Sequence, residues 1–244
     1  MNDLHKIAPL FSGWNETLIW SVLQGHMGYA IADNEETPEA AQIVLGDFCF
    51  FAGKPSVSFA AKAAVREIVP QNEAWSDAIE QAFGTRAQRR LRYSILKEPN
   101  VFSREKLQGY IDALPAEFEL RMFDEALYQK SFQEGWSCDF CSCFADAADF
   151  LARGVGVAAL HEGNFVSGAS SYSVYDGGFE IEIDTKPEYR QKGLATACAS
   201  KLILTALERG LYPSWDAFDL RSVALAEKLG YHVDRPYIIY LLKR

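Results

Sequence analysis

The stretch Phe179–Ala195, FEIEIDTKPEYRQKGLA, decides the fold of this chain. From position 179 to 184, apolar and acidic residues alternate strictly, which predicts a β-strand with one buried face and one acidic face. After Pro187 the chain turns, and an alanine-rich helix runs from about Leu194 to Arg209, where Gly210 ends it. The segment therefore predicts a strand, a turn with one glycine and a long helix.

The turn predicts an anion-binding site. Gly193 lets the backbone approach a ligand, and Ala195 keeps the next helical turn slim. Unpaired backbone N–H groups at a helix start bind anions, most naturally a pyrophosphate, and Arg190 and Lys192 add positive charge. The spacing matches neither a Walker loop nor a dinucleotide fingerprint, so an ordinary strand–helix turn stays open as the alternative.

The flanking elements predict a larger unit around this segment. Three runs separated by the turns His161–Asn164 and Asp176–Gly178 predict an antiparallel meander: Val155–Leu160, Phe165–Tyr175 and Phe179–Thr185. Downstream, Leu211–Trp215 is a predicted strand. A predicted helix follows at Leu220–Leu229, capped by Asp219 and ended by Gly230.

The first half of the chain carries no motif that indicates chemistry. Helices at Asn72–Phe83 and Ser103–Leu114 alternate with extended runs such as Gln42–Phe51, so we expect a packed α/β unit. A proline after the second helix places a boundary near Leu114–Pro115. The predicted domains are therefore 1–115, an N-terminal α/β half of unknown role, and 116–244.

Composition restricts the class of partner. With 244 residues, a net charge of −9 and 49% hydrophobic residues, wholesale disorder is excluded. No run approaches the ~20 apolar residues that span a bilayer, and the start MNDLHKIAPLFSGW lacks the pattern of a signal peptide. We expect no membrane and no nucleic acid as partner, because the acidic balance favours a basic small molecule.

Cysteine usage predicts a reducing compartment, the cytoplasm. The number of cysteines, five, is odd, and three of them lie together in Cys138–Cys143. A zinc site would need a second ligand pair at a regular spacing, which the later histidines and Cys198 do not supply. We therefore expect no metal site, and interpret the segment as core packing, with Trp136, Phe140 and Phe144 at helical spacing.

The chain resembles the GNAT N-acyltransferases. The resemblance rests on Arg190-x-x-Gly193-x-Ala195 after a strand and on the later run WDAFDLRSVALAEKLGY, Trp215–Tyr231. The phrases GASSYSVYDGG, EIEIDT and GLATACA look most similar to the subgroup of zwittermicin-A-resistance-type acetyltransferases. The implied fold class is α/β (α+β): a GNAT-like mixed, mainly antiparallel sheet flanked by helices, with an additional N-terminal α/β half.

The resemblance implies a cofactor site for acetyl-CoA. The end of a core strand, Ile183, Asp184 and Thr185, would pair through its backbone with the pantetheine arm. The turn would cradle the pyrophosphate with Arg190, Gln191, Lys192, Gly193, Leu194 and Ala195. The strand that ends at Thr185 and the strand near Leu211–Trp215 should separate and leave the cofactor cleft between them.

The resemblance also assigns residues near the thiol end of the cofactor, with one departure. Asp219 stands where many members have asparagine, and Ser222 lies one turn further on and could also face the cofactor. Ala226 stands where many members have a tyrosine that protonates the departing thiolate. Ser222, Tyr231 or a water molecule would have to substitute for that general acid.

The implied function is transfer of an acetyl group from acetyl-CoA to the amine of a small molecule. The amine must lose a proton, and the acidic strand face offers carboxylates, of which Glu182 is the candidate base. The alternative to a catalytic role is that the carboxylates of this face form ion pairs with Lys and Arg side chains. A non-catalytic acyl-CoA-binding protein, favoured by Ala226, and a pure interaction module are the other function classes. The first half could shape the acceptor pocket, pack against it or form a homodimer.

Overall fold

The computed structural model of the chain describes residues 3–243. It consists of two compact units, Met1–Arg92 with Pro236–Arg244, and Tyr93–Arg235. The last residues return to the first unit because Tyr240 pairs with Ile68 of a strand near the middle of that unit. These units do not coincide with the sequence-based limits 1–115 and 116–244, which stay a prediction.

The first unit is an α/β unit built on a mixed sheet. Its strands and helices are β1 (Tyr29–Ala32), β2 (Ala40–Leu45), β3 (Phe48–Gly53), β4 (Glu67–Pro70), α1 (Thr17–Leu23), α2 (Val57–Ala60) and α3 (Glu73–Phe83). Two longer strands, β5 (Ala87–Ile95) and β12 (Val233–Leu242), begin or end in this unit. The strand order is β1-β2-β3-β4-β12-β5.

An aromatic core holds the first unit together. Trp75 is fully buried against Phe51 and Phe59, and its indole N–H donates to the carbonyl of Gly53 at 3.1 Å. Helix α3 begins where the Asn72 side chain accepts the backbone N–H of Trp75, so the predicted helix is confirmed, with Asn72 as its cap.

The second unit contains the meander. Its further elements are α4 (Arg104–Asp112), β6 (Phe118–Met122), α5 (Glu125–Ser131), α6 (Ala147–Arg153), β7 (Gly156–His161), β8 (Asn164–Tyr175), β9 (Gly178–Thr185), α7 (Leu194–Glu208), β10 (Tyr212–Ser214), β11 (Asp216–Ala217) and α8 (Leu220–Leu229). The sheet order is β10-β9-β8-β7-β6, with β10 parallel to β9 and the other pairs antiparallel. The expected mixed, mainly antiparallel sheet is confirmed.

Helices and aromatic rings cover the two faces of this sheet. Helix α7 packs against β7, β8 and β9 on the face that carries Ile181 and Ile183. On the other face, the hydroxyl of Ser170 donates to the carbonyl of Phe140 at 2.6 Å, and the Phe140 ring packs on Phe123 and Phe165. The acidic residues of β9 lie on this second face.

The cysteine segment packs as core, but not as a helix. Residues Cys138–Phe140 form a single 3-10 turn, with Phe140 against the sheet and Phe144 packed on Phe150. Phe140 and Phe144 are buried, and burial raises the pKa of Cys141 to about 12. Within residues 3–243 no group of three or more His, Cys, Asp or Glu side chains could hold a metal ion.

No helix in the described part of the chain combines the length and the apolar character that crossing a bilayer requires.

The close approach of β10 to β9 at Gly178 is directly testable. A Cβ on Gly178 would collide with the carbonyl of Tyr212 and the hydroxyl of Tyr175. We predict that Gly178→Ala lowers the free energy of unfolding by about 1–3 kcal/mol. The control Gly109→Ala lies in α4 with open space at its Cβ and should raise it by about 0.5–1 kcal/mol. Urea denaturation measures both, and an unchanged Gly178→Ala would contradict the pairing.

Candidate functional site

Strands β9 and β10 pair over three residues and then separate. Tyr212, Pro213 and Ser214 lie beside Gly178, Phe179 and Glu180, and the register ends there. After Trp215 the chain continues as β11, which pairs with Tyr93 and Ser94 of β5 instead. The expected separation is therefore found along the second half of β9, where β10 no longer lies beside it.

The second half of β9 presents backbone groups to this gap. The N–H of Lys186 donates to Val166 on β8, whereas the carbonyl of Thr185 accepts from Arg190 Nε at 3.1 Å on the opposite edge. Because backbone groups alternate between the two edges of a strand, Ile183 points its N–H and C=O to the same edge as Thr185. This is the edge of β9 that β10 no longer covers beyond Glu180.

The turn after β9 holds its shape through Arg190 and two left-handed residues. Arg190 Nε binds the Thr185 carbonyl, and a guanidinium nitrogen lies 3.5 Å from Asp184 Oδ1. Gln191 has φ +63° and Gly193 has φ +84°, a conformation that favours glycine. Gln191, Lys192 and Gly193 are exposed, and Lys192 Nζ lies 5.0 Å from the centroid of the Tyr189 ring.

Helix α7 begins without a side-chain cap. Gly193 is the N-cap residue, and the first regular helical bond runs from the N–H of Ala197 to its carbonyl. The N–H groups of the first turn therefore have no partner within the helix and carry its positive dipole end. A Cβ on Gly193 would meet no atom within 4 Å, so a ligand has room to approach. Leu194 is buried, and Ala195 is half-buried.

Asp219 and Ser222 are both engaged at the start of α8. Oδ1 of Asp219 accepts the backbone N–H groups of Arg221 and Ser222, each at 2.9 Å. Burial alone would raise the pKa of Asp219, but these bonds and the Arg221 guanidinium outweigh it and lower the pKa. The resulting stabilisation exists above the ordinary carboxyl pKa and is lost as pH falls through the lowered value. Ser222 Oγ accepts the indole N–H of Trp215 at 3.0 Å.

Tyr231 is a buried hydrogen-bond donor. Its hydroxyl donates to the carbonyl of Pro213 at 2.6 Å, and its ring packs on Trp215 and Phe102. Burial, with the charge of Glu180 nearby, raises the pKa of Tyr231 well above its ordinary value. The hydroxyl thus stays protonated and is committed to β10. Ala226 is fully buried and brings only a methyl group.

The three carboxylates of β9 differ in their surroundings. Asp184 is 38% exposed and forms the ion pair with Arg190, so the pairing alternative holds for this residue. Glu182 is half-buried, and Glu180 is only 5% exposed. Besides burial, the charge of Glu180 contributes to the raised pKa of Tyr175, Tyr212 and Tyr231.

The site thus combines most of the residues that the sequence singled out, and their roles stay predictions. The strand end, the turn and the start of α7 lie in one continuous segment beside the gap. Sequence reasoning singled out Glu182, and the same alternation contains the more deeply buried Glu180. It also missed Tyr175 and Ser214, whose hydroxyls lie 2.7 Å apart, because their partners are set by the register.

Comparison with known proteins identifies the family. The model of the GNAT acetyltransferase family matches residues 8–240, so this chain belongs to that family. A protein of Bacillus subtilis (strain 168), described as the uncharacterized N-acetyltransferase YdfB, is 32% identical over 136 residues. That match covers 52% of this chain and 49% of the relative, so the chain spans about half the length of the curated relative.

Solved structures agree with the fold over most of the chain. A GCN5-related N-acetyltransferase-like protein from Streptococcus suis 89/1591 is 42% identical, with a TM-score of 0.94 and coverage of 98% of both chains. A GCN5-related N-acetyltransferase from Kribbella flavida has a TM-score of 0.53 at 15% identity, covering 93% of this chain and 91% of that one. The second likeness concerns the fold alone.

The bond from Tyr231 to Pro213 is testable by stability. We predict that Tyr231→Phe lowers the free energy of unfolding by about 1–3 kcal/mol, because the Pro213 carbonyl then loses its donor in a buried place. Tyr110→Phe is the control, since its hydroxyl bonds the Lys228 carbonyl at an exposed place and should cost less. Equal losses for both variants in urea denaturation would contradict a buried role for the Tyr231 hydroxyl.

Proposed function

We propose that the protein is an acetyl-CoA-dependent N-acetyltransferase that acts on the amine of a small molecule. One observation carries the proposal: the unpaired edge of β9 leads directly into a glycine turn and an uncapped helix start. A ligand with an extended amide-containing arm and a pyrophosphate would bind along this edge and at the helix start.

The residues present fit coenzyme A. The first-turn N–H groups of α7, with open space at Gly193, would hold the pyrophosphate, and Arg190 and Lys192 supply positive charge beside it. The edge at Ile183 would bind the amides of the pantetheine arm as a strand would. Acetyl-CoA supplies an activated acyl group as a thioester.

The chain's own groups near the gap can orient the acetyl-CoA thioester and polarise its carbonyl group, but they are not well placed to donate a proton. Backbone N–H groups on the open edge of β9 are suited to hold a carbonyl oxygen that gains negative charge. Ser222 and Tyr231 are each committed to another group, so neither is well placed as general acid. A thiolate with a pKa near 8–9 is a fair leaving group, which makes a strong acid at the position of Ala226 less necessary.

The acidic face of β9 supports an amine as the acceptor. In the reaction the amine nitrogen forms a bond to the thioester carbonyl carbon, the C–S bond breaks, and coenzyme A leaves as the thiol. A protonated amine loses two protons in all: one is taken up by the thiolate and one passes to a carboxylate and then to solvent. Glu182 is the sequence-based candidate for that carboxylate.

A second candidate function is non-catalytic acyl-CoA binding, which the buried Ala226 favours. Thiol release over a panel of amines separates the two functions, because a binding protein would take up acetyl-CoA without releasing thiol.

The proposal also includes membership of the zwittermicin-A-resistance-type subgroup and a homodimer. It further includes a cytoplasmic location, which the five free cysteines support.

The cofactor assignment predicts a selective loss at Gly193. Gly193→Glu places bulk and negative charge where a pyrophosphate would lie, so acetyl-CoA affinity should fall at least about hundredfold. Gly210→Glu is the matched control, because Gly210 has φ +71°, open space at its Cβ and lies just past the other end of α7. Both variants should lose a similar stability, about 1–2 kcal/mol, from the left-handed backbone.

Isothermal titration with acetyl-CoA gives the affinities, and thermal unfolding gives the stabilities. An affinity that stays unchanged in folded Gly193→Glu, or that falls equally in Gly210→Glu, would refute the assignment of the turn to the cofactor.

A further inference from the structure

The first half of β5 is an open edge of its sheet. Strand β11 lies on one side of β5 but pairs only with Tyr93 and Ser94. The strand order places β12 on the other side of β5 and, among residues 3–243, no further strand beyond β11. The side of Ala87–Arg92 that points away from β12 therefore has no strand beside it in the described chain. We call this side the β5 edge.

Arg89 and Leu91 present their backbone groups to the β5 edge. The N–H of Lys243, just past the end of β12, donates to the carbonyl of Arg86, just before the start of β5. Because the backbone groups of a strand alternate between its two edges, the even-numbered residues point towards β12 and the odd-numbered ones away from it. The N–H and C=O groups of Arg89 and Leu91 therefore point where a further strand would pair.

The side chains along the β5 edge carry positive charge that the chain does not balance locally. Residues 86–92, RAQRRLR, contain four arginines and no acidic residue, although the net charge of the chain is −9. The last of these arginines lies 3.7 Å from a carboxylate oxygen of Glu67. The other three, Arg86, Arg89 and Arg90, are exposed and form no ion pair with a described residue. An acidic partner would find three guanidinium groups here.

Protection against self-pairing does not explain all of this edge. Charged side chains on an open strand prevent it from pairing with another copy, and two copies of the β5 edge would place arginines opposite one another. Leu91, however, lies among these arginines and is 52% exposed. An edge that repels its own copy but presents an exposed leucine is suited to a strand of opposite charge.

We propose that the β5 edge binds an extended acidic segment of a partner protein, which adds a strand to the sheet. Side chains alternate across a strand, so Arg89 and Leu91 share one face and Arg90 lies on the other. An antiparallel partner would carry, in chain order, an apolar residue opposite Leu91 and then two acidic residues opposite Arg90 and Arg89. Backbone hydrogen bonds would supply affinity, and these three side chains specificity. The inference is independent of the proposed function, which concerns β9 and α7.

A peptide fits the β5 edge better than a nucleic acid does. Phosphate groups would pair with the arginines, but they would leave Leu91 and the backbone carbonyl groups of the edge without a partner. The net charge of −9 also opposes the approach of a long polyanion. The alternation of backbone donors and acceptors is what a strand recognises.

The probe is the peptide Thr-Thr-Val-Glu-Glu-Thr-Thr with blocked termini, titrated calorimetrically into the 244-residue chain. Its matched control has lysine at both glutamate positions. We expect the glutamate peptide to bind at least about tenfold more tightly, because two attractive charge pairs become repulsive in the control. Leu91→Thr should weaken binding of the glutamate peptide several-fold, because the peptide valine loses its apolar neighbour.

Two N-methylated forms of the glutamate peptide test whether it pairs as a strand. In the antiparallel register, the second glutamate lies opposite Arg89 and exchanges both backbone bonds with it, whereas the first glutamate points its N–H away from the edge. N-methylation of the second glutamate should weaken binding at least about tenfold, and that of the first less than about threefold. Equal losses would overturn the proposal.

A charge reversal tests the place of binding. Arg89→Glu combined with Arg90→Glu should lower the affinity for the glutamate peptide at least about tenfold and raise that for the lysine peptide. Arg104→Glu with Lys106→Glu is the matched control, because it makes the same charge change at exposed residues of α4. It should leave both affinities within about twofold, since salt screens distant charges.

Thermal unfolding shows whether both double variants fold. Should Arg89→Glu with Arg90→Glu not fold, the two N-methylated peptides on the wild type decide. The proposal is wrong if the glutamate peptide does not bind or if the lysine peptide binds equally well. An oligothymidylate that binds more tightly than the glutamate peptide, and loses affinity in the same variant, would assign the edge to nucleic acid. A wild-type dimer in sedimentation that this variant dissociates would assign it to a second copy.

Discussion

The three-residue pairing of β10 with β9 is the constraint on which the rest of the site depends. Beyond Glu180, the hydrogen-bonding edge of β9 has no strand from β10. Pro213 has no N–H, and its carbonyl is bound by the Tyr231 hydroxyl rather than by a strand. Trp215, held by Ser222, then directs the chain to β5. An open strand edge is a ready template for pairing, which a ligand or another chain can use.

The site has positive charge on the turn after β9 and negative charge on β9 itself. On the turn, Arg190 and Lys192 stand beside the dipole of α7, in a chain whose net charge is −9. On the strand, the carboxylates face the other side of the sheet, where Glu180 is buried, Glu182 is half-buried and Asp184 is 38% exposed. A single strand therefore separates a positively charged turn from an acidic face, which is the arrangement that the proposed function expects.

Local signals predicted much of this unit. Asp219 caps α8 and Gly230 ends it at the expected residues. The alternation of β9 and the turns of the meander are equally local, since each depends on neighbours within a few residues. The start of α7 after Gly193 follows from the same kind of signal.

The missed features depend on distant partners. Strand β4 has four residues and exists because it lies between β3 and β12, which is more than 160 residues further along the chain. Strand β11 has two residues and depends on β5. The alternation could not show that Glu180 is more buried than Glu182, because this difference depends on β10, which lies beside Glu180 and not beside Glu182.

A crystal structure with coenzyme A tests the central claim most directly. The account predicts pyrophosphate oxygens against the N–H groups of Leu194, Ala195 and Thr196. It also predicts the pantetheine arm along β9 at Ile183 and the sulfur where β9 and β10 part. Coenzyme A bound away from β9, or a β10 that pairs along β9 to Thr185 in the complex, would contradict it.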